Sequence, residues 1–130
     1  MIEQTICDIN KLLEGVSLKT VLVDINNSEQ PVFKSFCGSM RLSNELSGGE
    51  KQLYYKAILF DKLRPQNSLI MVDEPETSLH PTWQQEVLKL YNNIQGNNQV
   101  ILVTHSPHII ASSHPDNLFV LNINEEKKNG

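Results

Sequence analysis

Apolar residues recur along this chain with two different periods. Ile2, Ile6, Ile9 and Leu13 fall on one helical stripe, and Gly15 stands where such a helix would stop, so the pattern predicts a helix over 2–13. Residues 19–25 and 32–36 are short β-like runs, and Asn26, Asn27 and Ser28 between them suit a turn, which makes a hairpin. Residues 37–45 are polar and irregular. From Ser47 the helical period returns, carried by Leu53, Tyr54, Ala57, Ile58 and Phe60, and it ends before Arg64-Pro65.

The run 68–72 is apolar after its first position, the pattern of a strand buried on both faces of a parallel sheet. Pro81 suits the first turn of the next helix, whose stripe is Trp83, Val87, Leu90, Tyr91 and Ile94, with Gly96 at its end. Residues 99–103 read as a second buried strand and 118–123 as a third, with a short helix opened by Ser106-Pro107 between them, running to about residue 112. Helices alternating with apolar strands from residue 47 onward predict an α/β fold. Its mostly parallel sheet has flanking helices and is preceded by a helix and a short β-hairpin.

Composition narrows the picture only a little. A chain of 130 residues can bury one proper core. The net charge of −4, with scattered Lys and Arg, argues against a general grip on nucleic acid, which needs clustered cations. Cys7 and Cys37 have no CxxC spacing, so two ordinary, buried or half-buried reduced thiols are expected. No stretch reaches the roughly 18 apolar residues of a membrane span, and the N-terminus lacks the basic start and apolar core of a signal peptide. A cytoplasmic location is the natural expectation.

Chemistry should gather at the strand ends. In open α/β sheets ligands bind outside the carboxyl ends of the strands. Asp73 and Glu74 follow the first buried strand, and Thr104 and His105 follow the second. LIMVDEPE (69–76) has the form of a Walker B strand: a rigid apolar strand holds Asp73 near a Mg²⁺ ion, and Glu74 addresses the attacking water as general base or positioning group. Glu76 is read as the start of a solvated stretch, with orientation of the loop as the alternative. LSGGE (46–50) supplies a second element. Ser47 and Glu50 have the spacing of a capping box, and Gly48 and Gly49 leave the first backbone N–H groups unobstructed at the positive end of a helix, an anion site.

LSGGE, LIMVDEPE, SLHP (78–81) and the pair TH (104–105) together resemble the signature, Walker B, D-loop and switch-histidine motifs of the ABC ATPases, in that order. DEPETSLHP followed by VILVTHSP is most similar to the soluble members related to RecF, SMC and OLD-like proteins. The resemblance covers roughly residues 42–123. It implies ATP and Mg²⁺ as cofactors, with Ser47, Gly48, Gly49 and Glu50 on the nucleotide side. It makes Asp73 the metal-side carboxylate, and Glu74 and His105 the catalytic pair. Ser78, Leu79, His80 and Pro81 would lie at the interface of a head-to-tail dimer. It also implies work in nucleic-acid maintenance or phage defence, with DNA as a partner the residues themselves do not reveal.

The same family uses a Walker A loop, GxxxxGK[ST], and none of the six glycines begins or closes one. The expectation is therefore the C-terminal half of an ABC-type domain over 42–130, with 1–41 as the end of an intervening region, inactive until a Walker A-bearing segment or subunit completes it. Two other readings stay open. One is a non-catalytic dimerisation or regulatory module derived from such an ATPase. The other is a metal-dependent hydrolase using Asp73, Glu74 and His105, with His80 and His108 nearby in sequence.

Overall fold

The computed structural model describes residues 1–121. The chain opens with helix α1 (Ile2–Leu12), then strands β1 (Thr20–Ile25), β2 (Pro31–Ser35) and β3 (Met40–Leu42). Helix α2 (Gly48–Leu63), strand β4 (Leu69–Asp73), helix α3 (Pro81–Asn92), strand β5 (Gln99–Val103) and helix α4 (Pro107–Ser112) follow. Strands β1, β2 and β3 form an antiparallel sheet in that order, and β4 and β5 pair in parallel with α3 as their crossover. A parallel return of this kind needs about a dozen residues or more, which the α3 segment provides.

The predicted hairpin is thus the first two strands of a three-stranded sheet. The short β3 hides in the sequence because all three of its residues are exposed, so it carries no apolar alternation. The third parallel strand expected at 118–123 does not form over 118–121, and its remainder lies outside the described residues.

One core serves the described residues. Ile9, Leu12 and Leu13 meet Leu22, Phe33, Leu53, Tyr54 and Ala57, and the cluster continues through Leu79, Val87, Leu90, Tyr91 and Ile109. Phe33 and Tyr54 touch with ring centroids 4.5 Å apart, fastening α2 to the antiparallel sheet. Helix α2 ends where Arg64 takes a left-handed conformation (φ 41°), because the following Pro65 disfavours the right-handed one.

Strands β4 and β5 differ from expectation. Val72, Val100 and Leu102 pack on the core, whereas Leu69, Met71, Ile101 and Val103 point the other way and are exposed, Met71 by 68%. The strands are apolar on both faces, but the described residues cover only one of them. Both cysteines are also exposed rather than buried or half-buried.

Candidate active site

Two loops meet at the carboxyl edge of the parallel sheet. Asp73 is the last residue of β4 and stands opposite Val103, the last residue of β5. The ladder runs one step further, since the Glu74 N–H donates to the Val103 carbonyl at 2.7 Å. Glu74 has φ 50°, a left-handed conformation uncommon outside glycine. Its carbonyl accepts from the Thr77 N–H (3.1 Å) and the Thr77 hydroxyl (2.9 Å), which closes the turn beneath it. Pro75, within that turn, and Leu79, just after it, are buried. The result is an exposed Glu74 side chain on a backbone fixed from several directions.

The loop after β5 is tied to this turn. The His105 N–H donates to Oε1 of Glu76 at 3.1 Å. Burial works to raise the Glu76 carboxyl, but the nearby Thr104 hydroxyl and backbone N–H groups, that of His105 among them, outweigh it and hold the carboxyl below the usual range. Its other oxygen, Oε2, is buried and has no partner in hydrogen-bonding geometry among the described residues. Glu76 therefore orients the loop and does not begin a solvated stretch.

Gln84, in the first turn of α3, makes the second tie: its Nε2 donates to the Leu79 carbonyl at 2.9 Å, and its Oε1 accepts from the Ser106 hydroxyl. For Glu76 this is the alternative that the sequence leaves open, whereas nothing in the sequence singles out Gln84. The available signal was a carboxylate and an amide flanking the D-loop.

Asp73, Glu74 and His105 thus come to one sheet edge. Among the described residues no three His, Cys, Asp or Glu side chains group to hold a metal ion, so the three-ligand site of a metal-dependent hydrolase is not assembled from Asp73, Glu74 and His105. What the edge offers is the donor set Mg²⁺ accepts in phosphate chemistry: one or two carboxylates, the rest being waters and phosphate oxygens. Of the D-loop residues, Ser78 (φ 65°), His80 and Pro81 are exposed, while Leu79 belongs to the core and offers no surface. His80 caps α3, its Nδ1 accepting from the Thr82 N–H at 3.3 Å.

The signature element lies apart from this edge. Ser47 caps α2, its hydroxyl accepting from the Glu50 N–H at 3.4 Å. The reciprocal arm of the expected capping box is missing. Glu50 is only 4% exposed, and its Oε2 instead accepts from the Thr20 hydroxyl at 2.6 Å. Tyr54 completes the cluster by donating from its hydroxyl to the Thr20 carbonyl at 2.7 Å. Glu50 therefore braces the motif from beneath and is not free to face a ligand.

Gly48 opens on empty space, whereas the indole of Trp83 fills the place where a β-carbon on Gly49 would stand. Ser47 borders a cavity of about 680 Å³ whose walls include Lys19, Phe36, Arg41 and Trp83. Among the described residues no hydrogen bond joins Ser47, Gly48 or Gly49 to Asp73, Glu74 or His105, and the connection runs through the first turn of α3, where Trp83 and Gln84 are neighbours.

An α/β fold with a parallel sheet and flanking helices is the fold class of the P-loop NTPases. The chain belongs to the family described as "AAA domain, putative AbiEii toxin, Type IV TA system", whose model matches residues 26–111.

The Septu protein PtuA of Bacillus thuringiensis is 35% identical over 65 residues, covering 50% of this chain and 16% of that protein. The Septu protein PtuA of Bacillus mycoides is 26% identical over 128 residues, covering 93% of this chain and 18% of that protein. The chain thus spans under a fifth of the length of these relatives. A structure from work on ATP-driven dimerization and DNA-stimulated activation of SMC ATPases superposes with a TM-score of 0.59 at 22% identity, covering 85% of this chain and 73% of that one. That likeness is one of fold. No helix among the described residues is long and apolar enough to cross a membrane.

Proposed function

We propose that the chain supplies the signature and Walker B side of an ABC-type ATP-hydrolysing site, completed by a Walker A-bearing segment or subunit. The observation that carries this reading is the adjacency of Glu74 and the Thr104–His105 loop, joined at the Glu74 N–H to Val103 carbonyl bond and at the Glu76 to His105 bond. Bound Mg²⁺ would neutralise charge on the phosphates, with Asp73 as its protein carboxylate.

Glu74, exposed and held by its fixed backbone, orients or deprotonates water. His105, on the loop after the neighbouring strand, would donate toward the transferred group. Ser47, Gly48 and Gly49 present the N–H groups of the α2 N-terminus to a phosphate. Ser78, His80 and Pro81 are the exposed part of the surface through which a second head would engage, as the dimerization of the SMC relatives suggests. The Septu relatives favour a phage-defence role over chromosome maintenance, with DNA as a candidate effector and the cytoplasm as its site.

The test is phosphate release by the chain mixed with a Walker A-bearing segment of a related ATPase. Stimulation that Gly48→Asp and Glu74→Gln each remove is the expected result. Robust turnover by the chain alone would sink the incomplete-site reading. Binding to the partner without any turnover would favour the non-catalytic module.

A further inference from the structure

Two tethers, made of three hydrogen bonds, run between the exposed D-loop and the loop that carries His105, and neither is needed merely to build the sheet. Glu76 takes the His105 N–H, while the Gln84 amide holds the Leu79 carbonyl at one end and the Ser106 hydroxyl at the other. Ser106 is only 5% exposed and itself caps α4, accepting from the Ile109 N–H at 3.3 Å. Ser106 N–H in turn donates to the Thr104 hydroxyl at 2.9 Å, so residues 104–106 are held on both flanks of His105. On the other loop, Leu79 N–H donates to the Glu76 carbonyl at 2.9 Å, which ties the two tether points together.

A side-chain amide is planar and rigid, so its donor and acceptor ends cannot move independently. A displacement of the Leu79 carbonyl reorients the amide and so acts on Ser106. Ser78 and His80 flank Leu79 and are exposed, which places the input of this device on the surface and its output at His105. Loops at strand ends are ordinarily the mobile, low-stability parts of a fold. Fixing two of them to each other makes them move together.

We propose that Gln84 and Glu76 are positioning residues that couple the 78–80 loop to His105, so that contact at Ser78 or His80 sets the placement of the histidine. They touch no reacting group. The proposal rests on the ATPase reading for its purpose, but the coupling itself is a property of this chain and is testable without nucleotide.

The experiment is amide NMR on the full chain. His80→Ala should shift the amides of Thr104, His105 and Ser106 in the wild-type background, and those shifts should vanish in Gln84→Met, which keeps the length of the side chain without its hydrogen bonds. Amide exchange at His105 should quicken about tenfold in Glu76→Ala, the factor expected for loss of one hydrogen bond. Glu76→Gln, which keeps an acceptor oxygen, should rescue most of it. Glu76→Ala and its rescue also stand in for Gln84→Met if that variant does not fold.

In the completed ATPase, Gln84→Met should lower kcat and leave KM unchanged. His80→Ala shifts that reach 104–106 equally with Met at position 84, or exchange at His105 indifferent to position 76, would overturn the coupling. Absence of turnover in the wild-type mixture would instead count against the ATPase reading alone.

Discussion

The indole of Trp83 lies over Gly49 in the place a β-carbon would occupy, so the first turn of α3 is packed directly onto the signature motif. This contact separates the two glycines of LSGGE by physical role. Gly49 is required by packing, while Gly48 meets nothing and is left for a ligand to explain.

Gly49→Ala should therefore destabilise the chain by roughly 1–3 kcal/mol through overpacking, outweighing a helix-propensity gain of about 1 kcal/mol. Trp83→Leu should relieve most of that loss in the double variant. Gly48→Ala should be neutral or slightly stabilising, yet should cut the stimulation of a Walker A-bearing partner. Urea unfolding of the four variants, with phosphate release measured alongside, checks both halves. Equal stability costs at positions 48 and 49 would contradict the assignment.

Thr20 holds the carboxylate of Glu50 through its hydroxyl and Tyr54 through its carbonyl. Thr20→Val keeps the shape and leaves a buried carboxylate without its donor, a loss of about 1–3 kcal/mol. Thr20→Ser should retain most of the stability. Chemical denaturation of the two variants is the measurement. A Val variant as stable as wild type would show that Glu50 finds another partner.

Most of the element order could be read from the chain because helical and strand periods alternate cleanly after residue 47. The short helix 107–112 was legible from Ser106-Pro107, since a capping serine before proline leaves little choice of local structure. The 40–42 strand was not, because an exposed three-residue edge has no apolar code to read. For the candidate site, sequence spacing put Asp73, Glu74 and His105 at the strand ends, where the fold has them, since strand ends are marked by where the apolar runs stop. It misjudged Glu50 and Glu76. Both are carboxylates whose partners lie 29 or 30 residues away along the chain, and no local pattern encodes such a pairing.

Cys37 sits in the turn after β2, its sulfur 2.9 Å from the Ser35 hydroxyl and 3.6 Å from that of Ser39. The Ser35 hydroxyl first, and Ser39 next, lower the thiol to about 7. Above that pH the thiolate predominates, so Cys37 should alkylate with iodoacetamide along a profile with its midpoint near 7. Ser35→Ala should move that midpoint upward. Mass spectrometry of the modified peptide across pH 5–9 reads it directly, and a midpoint that ignores the Ser35 substitution would remove the proposed cause.

The uncovered face of β4 and β5 carries Leu69, Met71, Ile101 and Val103, with Leu69 55% and Met71 68% exposed. Side chains that lie in solvent contribute little to folding, and substitutions there ordinarily change stability by about 0.5 kcal/mol or less. Met71→Thr and Ile101→Thr keep strand propensity while breaking the apolar patch. Together they should leave the unfolding midpoint near wild type and reduce self-association, which contiguous exposed apolar surface promotes. The same pair should weaken stimulation of a Walker A-bearing partner if that partner covers this face, because the lost contacts then belong to the interface. Light scattering, thermal unfolding and the mixing assay distinguish the cases. A large fall in the unfolding midpoint would mean that the face is already buried in the isolated chain, and the one-sided sheet would have to be abandoned.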